Sequence, residues 1–401
     1  MNCLTTPFGS HQLTRFPEDP RDRLRAWDAA DEYLLRHLAA GTGERPPVEL
    51  DGQITVLGDR WGALVTALAA HRPVQITDSS LAHEATRLNL ARAGVPEADV
   101  RLLTTQDAPP ERIDVLIVRV PKSLALLEDQ LHRLAPHLHA DTVVVGTGMV
   151  KDIHTSTLRL FERIIGPTRT SLAEKKARLI FATPGPQAAR EAAAPGPWPL
   201  TYTLDEDSGA ASGLTAVNEA GVFCADRLDI GTRFLLQHFP QRTGAARIVD
   251  LGCGNGVVGT AAALAEPGAE VIFTDESYQA VASARATYRA NVPEGDHRAE
   301  FLVGDGLAGV PDGSVDLVLN NPPFHSHQAT TEATAMRMFA QARQALRPGG
   351  ELWVVGNRHL GYHVRLRRLF GNSQLVASDP KFVVLRAVKQ APAPKDRPAG
   401  E

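Results

Sequence analysis

Cysteine is scarce in this chain of 401 residues. Cys3, Cys224 and Cys253 are odd in number and none has metal-ligand spacing. That excludes a disulfide framework and a structural zinc, and it points to a reducing cytoplasm. No apolar run approaches the ~20 residues that cross a bilayer. Residues 1–20 lack a charged start followed by an apolar block, so neither a membrane span nor a signal peptide is expected. Neither sign of charge dominates: 42 Lys and Arg against 46 Asp and Glu leave −4, which does not mark a nucleic-acid binder. The imbalance is local. Residues 151–191 hold eight Lys or Arg against four Asp or Glu, and Arg365, Arg367 and Arg368 form a second basic run. Such stretches suit phosphates and equally suit a solvated helix face.

The length is comfortable for two cores. A Pro/Gly/Ala-rich stretch, Pro184-Gly185-Pro186 through Pro199, reads as a linker over residues 184–199. It separates residues 1–183 from residues 200–390, and the Pro- and charge-rich tail 391–401 is expected to be disordered. The halves echo each other. Trp27 to Leu38 lies 201 positions before Leu228 to Phe239. Each is followed by a strand-like run with a glycine loop, then by a strand ending in Asp78 or Asp275, then by Val115 to Val120 or Val315 to Asn320. The matched order indicates duplication of one α/β unit. In the second half, Arg247–Leu251, Glu270–Thr274, Phe301–Val303, Val315–Leu319, Glu351–Val355 and Lys381–Val388 read as strands. Val257–Leu264, Tyr278–Ala290 and Glu332–Leu346 read as helices between them. Strands apolar throughout belong in a sheet covered on both faces. The expected fold is therefore α/β, with two tandem doubly wound Rossmann-like domains whose ligands bind beyond the strands' carboxyl ends.

Asp250-Leu251-Gly252-Cys253-Gly254-Asn255-Gly256 joins a strand to a helix. Glycine lets the backbone turn tightly and approach a ligand. Asp275, nineteen residues past Gly256, can take both ribose hydroxyls, and Asp305, at the next strand tip, an adenine amino group. The loop alone also suits dehydrogenases. Here the spacing is Gly-x-Gly-x-Gly, and Asp250 suits a cationic amino acid moiety better than a pyrophosphate. Asn320 closes this expected cofactor-binding group. The pattern resembles S-adenosylmethionine-dependent methyltransferases.

Asn321-Pro322-Pro323-Phe324 ends the next apolar run. A purine exocyclic amine is a poor nucleophile because its lone pair is delocalised into the ring. Two carbonyl acceptors, the Asn321 side chain and the Pro322 backbone, localise that pair and stabilise the developing positive charge. The prolines fix φ and add no competing donor. Phe324 offers a stacking face for a flipped base. No strong base is needed, and in-line positioning can supply roughly 7–11 kcal/mol. His325 and His327 follow and read as loop residues. Adenine N6, guanine N2 and a protein glutamine amide all fit such a trap. In the first half the equivalents are Gly58-Asp59-Arg60-Trp61-Gly62 and Arg119-Val120-Pro121-Lys122. Arg60 and Trp61 would fill the cofactor's space, and the amide trap is gone, so that copy reads as catalytically dead, with a binding or scaffolding role.

One degenerate methyltransferase-like domain before an active one resembles the ribosomal RNA guanine-N2 methyltransferases. The likeness spans about residues 10–390. Its distinctive stretches include Leu13 to Pro17, Asp152 to Thr157, Lys175 to Ile180, the Asp250 loop, Asn321 to His325 and Gly356 to Leu360. The resemblance implies N2-methylation of one guanine in 23S rRNA with S-adenosyl-L-methionine as cofactor and protein-poor RNA as substrate; no metal is expected. It assigns the cofactor to Gly252, Gly254, Gly256, Asp275 and Asp305, and the base to Asn321, Pro322 and Phe324. A 16S rRNA target stays open, and a monomer is expected.

Overall fold

Runs such as Ile54-Thr55-Val56-Leu57 and Ile248-Val249-Asp250-Leu251 are buried at every position. A strand with both faces covered must sit at the centre of a sheet between two helical layers. A computed structural model of the chain describes residues 3–19, 22–43, 45–186, 196–240, 244–292, 298–323 and 328–391. The chain divides into two units, Met1–Trp198 and Pro199–Glu401. Residues 187–195 of the linker expected at 184–199, and the tail beyond 391, lie outside the described residues.

The first unit opens on a hairpin, β1 (Cys3–Thr6) with β2 (Gly9–Gln12). Its main sheet comprises β3 (Ile54–Leu57), β4 (Val74–Thr77), β5 (Arg101–Thr104), β6 (Ile113–Arg119), β7 (Leu138–Met149), β8 (Thr168–Thr170) and β9 (Ala177–Ala182), in the order β5-β4-β3-β6-β7-β9-β8. The second unit likewise opens on a hairpin, β10 (Leu200–Thr203) with β11 (Thr215–Asn218). Its sheet comprises β12 (Arg247–Leu251), β13 (Glu270–Asp275), β14 (Ala299–Val303), β15 (Val315–Asn320), β16 (Leu346–Asn357), β17 (Gln374–Ser378) and β18 (Phe382–Val388), in the order β14-β13-β12-β15-β16-β18-β17. The two orders are the same topology. In each, the strand slotted between the fifth strand and the edge runs antiparallel to both neighbours.

Alternate residues of the second sheet feed two cores. Ile248, Val271, Phe273, Leu317 and Leu319 pack with Val257, Val258 and Tyr288 on one face. Val249, Leu251, Ile272 and Val318 pack with Phe339, Ala342 and Leu366 on the other. Phe273 is fully buried and stacks on Phe301 at 4.8 Å. The crevice between β12 and β15, where the strand order reverses, is where open α/β sheets bind ligands, and the glycine loop and the Asn-Pro-Pro run both leave the sheet there.

Most boundaries agree with the sequence reading. The helices span Val257–Ala265, Tyr278–Asn291 and Gln328–Ala345. Strand β16 begins five residues earlier than expected, at Leu346, and carries Pro348-Gly349-Gly350 within it. A register shift on β15 between Val315 and Leu317 absorbs that irregular start. Strand β17, half exposed on the sheet edge, is an addition the apolar pattern did not give.

Candidate active site

The loop after β12 turns through three left-handed glycines: Gly252 at φ 73°, Gly254 at 52° and Gly256 at 75°. They have different jobs. A Cβ on Gly256 would lie 2.6 Å from the Ala284 Cα, so this glycine lets one helix close on another. A Cβ on Gly254 would meet no atom within 4 Å. The Gly254 backbone therefore borders open space at the strands' carboxyl ends, a cradle suited to a nucleoside-bearing cofactor. Its N–H donates to Asp275 Oδ2 at 3.0 Å, while Asp275 Oδ1 accepts from the Ser277 amide at 3.1 Å. Burial nevertheless pushes the Asp275 carboxyl above its ordinary value.

Two of the expected cofactor acids are engaged within the protein. Asp250 is buried, and its Oδ2 accepts the Gly259 N–H at 2.8 Å, inside the first turn of the helix Val257–Ala265. Burial pushes it up to about 8, with the Asp275 charge adding to the effect. Its Oδ2 thus anchors the start of that helix, beside the expected contact of this acid with a cationic moiety. Asp305 Oδ1 accepts from Arg337 Nε at 3.1 Å and pairs with Nη2 at 3.0 Å. Gln341 Nε2 donates to the Asp305 carbonyl at 3.0 Å. Arg337 and Gln341 carry no motif signal, because they come from a helix far along the chain.

The two asparagines at the end of β15 divide their amides alike. Asn320, 1% exposed, donates Nδ2 to the Leu251 carbonyl at 2.7 Å. Asn321 donates Nδ2 to Thr232 Oγ1 at 2.8 Å and to Asp229 Oδ2 at 3.2 Å. In both, the Oδ1 oxygen is buried without a hydrogen-bond partner. A buried acceptor left unpaired costs about 1–3 kcal/mol. Each is an acceptor left open to an N–H donor. Pro322 is buried and Pro323 exposed, while Phe324, His325 and His327 lie outside the described residues. Beside Asp229 lies a cavity of about 250 Å³, also lined by Phe223, Asn357, Lys381 and Phe382. The Asn357 Oδ1 oxygen is a further buried acceptor without a partner.

The first unit holds the same corner in altered form. Leu251 pairs with Asn320, and Leu57 with Val118, so Arg119 stands where Asn321 does. Arg119 is 2% exposed; its Nη2 donates to Asp28 Oδ2 at 2.5 Å and its Nε to Asp31 Oδ1 at 2.9 Å. Burial opposes the guanidinium charge, yet Asp31 and Asp28 outweigh it and hold Arg119 above its ordinary value. In the loop, Gly58 and Gly62 keep φ of 77° and 73°, but Arg60 replaces the open glycine. Asp59 takes the amides of Ala63, Leu64 and Val65, and burial, then the Asp31 charge, pushes it up to about 6. Asp78 accepts from Thr105 Oγ1 at 3.2 Å. The corner offers a donor-only guanidinium and no free amide oxygen.

Comparison with known proteins places this geometry. Residues 1–186 match the family described as the RLMG N-terminal domain, and residues 213–386 match the methyltransferase small domain. The Ribosomal RNA large subunit methyltransferase G of Streptomyces avermitilis is 74% identical over 388 residues, covering 96% of this chain and 99% of the relative. The protein of that name from Pseudomonas aeruginosa strain UCBPP-PA14 is 48% identical, covering 97% of this chain and 100% of the relative. A solved structure of a T. thermophilus 16S rRNA N2 G1207 methyltransferase with AdoMet and guanosine has a TM-score of 0.71 over 97% of both chains. At 20% identity, it shows a shared fold.

Proposed function

The chain belongs to the ribosomal RNA large subunit methyltransferase G family, and on that premise we propose that it methylates the N2 amine of one guanine in protein-poor 23S rRNA. The family is one of S-adenosylmethionine-dependent methyltransferases, and that cofactor supplies, when bound, a sulfonium methyl for transfer. The glycine loop would hold it: the open backbone at Gly254 and the acids Asp275 and Asp305 line the cradle.

The observation that carries the reading is the unpartnered Oδ1 of Asn321 at the tip of β15, one strand across from the glycine loop. An amide oxygen held there accepts an N–H of the guanine amine and draws its lone pair out of the ring. The Pro322 carbonyl, on a backbone fixed by two prolines, supplies the second acceptor. The amine is released as a methylammonium that loses its proton readily, so no residue need act as a strong base. Phe324 is assigned the stacking face against the base, and the cavity lined by Phe223, Asn357 and Lys381 suits the nucleotide around it, with Lys381 toward phosphate.

The first unit is read as a catalytically inactive copy that engages the RNA backbone. In its favour, Lys175 and Lys176 both take left-handed φ, 47° and 65°. That conformation costs about 1–2 kcal/mol per residue. Reciprocal bonds between Glu174 and Ala177 close this turn, and the Lys176 carbonyl accepts from the Val150 amide beside Lys151. The turn thus sets the backbone of Lys176 beside Val150 and Lys151 at the carboxyl end of the sheet, while Lys175 pairs with Glu32 Oε2 at 3.7 Å.

Transfer of tritiated methyl tests the function. Deproteinised 23S rRNA should accept label at guanine N2, while assembled large subunits, 16S rRNA and release-factor protein should not. Asn321→Ala should lower kcat by about 10²–10³-fold with cofactor affinity unchanged. Label on adenine or on protein glutamine, or full activity of that variant, would overturn the reading.

A further inference from the structure

The best-defined contacts at the reacting corner are not to substrate. They lie behind Asn321. Its Nδ2 donates both its protons, to Thr232 Oγ1 at 2.8 Å and to Asp229 Oδ2 at 3.2 Å. Thr232 Oγ1 in turn lies 3.3 Å from Asp229 Oδ2 as a donor, so its hydroxyl proton goes to the carboxylate and its lone pair to the amide. The Thr232 backbone N–H holds that same carboxylate oxygen at 2.8 Å. Asp229 is the N-cap of the helix Ile230–Gln237. A helix start, a carboxylate and a hydroxyl thus close around one NH2 group.

We infer that Asp229 and Thr232 are positioning residues that fix which end of the Asn321 amide meets the substrate. The inference rests on the reading of Asn321 as an acceptor for the target amine. An amide in a crevice can present its oxygen or, after a half-turn about its last torsion, its NH2. Only the oxygen can accept from an amine; the NH2 end would repel it. A carboxylate is acceptor-only, so it cannot partner the amide oxygen. The Thr232 hydroxyl has already committed its proton to Asp229. Both partners therefore demand the NH2 end, and Oδ1 is left toward the crevice, buried and without a partner.

The first unit gives an independent view of the same device. Asp28, N-cap of the helix Ala29–Ala40, stands 201 positions before Asp229, and Asp31 stands 201 before Thr232. There the two cap residues grip Arg119, which occupies the Asn321 position. The clamp is the same; what it holds differs. With two carboxylates it takes a guanidinium and yields no acceptor. With one carboxylate and one hydroxyl it takes an amide and leaves an oxygen free. The exchange of Asp31 for Thr232 is matched to the exchange of Arg119 for Asn321.

Two substitutions and a rescue test this in the full-length chain on deproteinised 23S rRNA. Thr232→Val removes the acceptor, and Asp229→Asn supplies a donor that lets the amide turn over. Each should lower kcat by about 10- to 100-fold, with the Kd for S-adenosylmethionine and the melting temperature of the ligand-free protein unchanged. Thr232→Ser, which keeps the hydroxyl, should restore kcat to within about twofold of wild type. Full activity of both Thr232→Val and Asp229→Asn, alongside an impaired Asn321→Ala, would sink the clamp and spare the acceptor. An unimpaired Asn321→Ala would sink the acceptor itself. A loss that follows the melting temperature, or that serine fails to restore, would assign Asp229 and Thr232 to helix capping alone.

Discussion

At the scale of single residues, the site depends on what glycine omits and on what asparagine exposes. Gly254 combines φ of 52° with open space where a side chain would stand. A β-branched residue is strained at such a φ and would project into the cofactor cradle. Gly254→Val should therefore weaken S-adenosylmethionine binding about tenfold or more, measured by calorimetry, while a wild-type Kd would remove the loop from the cofactor site. Gly254 and Asn321 were legible in the sequence because each answers a demand local in the chain: a tight turn, and a rigid acceptor at a strand tip. Their pairings were not: Asp229-Ile230-Gly231-Thr232 reads equally as a segment closing over cofactor and base and as a helix cap. Asp229 and Thr232 lie 92 and 89 residues from Asn321, and Arg337 lies 32 from Asp305. Such pairings arise only when the sheet brings distant ends together, and a motif does not encode them. The bond from Gly259 to Asp250 was likewise unread: the place of this acid before the glycines suggested a ligand contact, and the helix that follows also engages its carboxyl.

At the scale of elements, that helix makes stability depend on pH. Asp250 titrates near 8 in the folded protein against an ordinary 3.8. Between those values the folded state holds a proton that the unfolded chain has released, so stability falls as pH rises through the window. Asp250→Asn removes the titration and keeps an acceptor for the Gly259 amide. The melting temperature of this variant relative to wild type should rise from about pH 5 to about pH 9, by thermal melts of the ligand-free protein. A constant difference would mean that Asp250 is ionised when folded. Asp59, near 6 by burial, has the same sign and is common to both proteins. The elements most legible beforehand were the central strands, since burial on both faces leaves an unbroken apolar run. The edge strand β17, Gln374 to Ser378, escaped because an edge needs only one apolar face and this one is largely solvated. The start of β16 escaped because Pro348-Gly349-Gly350 reads as a turn, yet a bulge carries it into the sheet.

At the scale of the whole chain, the same strand order appears twice with one intact glycine cradle. Binding of S-adenosylmethionine should saturate at one molecule per chain in calorimetry, and two would refute the reading of the first unit as inactive. The duplication was visible from four landmarks in matched order. The exchange of Asn321 for a buried Arg119 ion pair was visible only as a loss, since the sequence gives no hint that Asp28 and Asp31 compensate the charge.

One feature of the sheets bears on how the protein is made. In each, the strand translated last enters an interior place: β9 between β7 and β8, and β18 between β16 and β17. The first sheet has all its strands by Ala182, before β12 begins at Arg247, so one unit can close while the ribosome is still making the other. A ribosome that stalls after β16 but before Phe382 leaves β16 with an unpaired backbone edge, next to β15. Bare edges recruit other chains. Truncated nascent chains of this enzyme are thus candidates for aggregation and quality-control proteolysis, even though most of their length has been translated correctly.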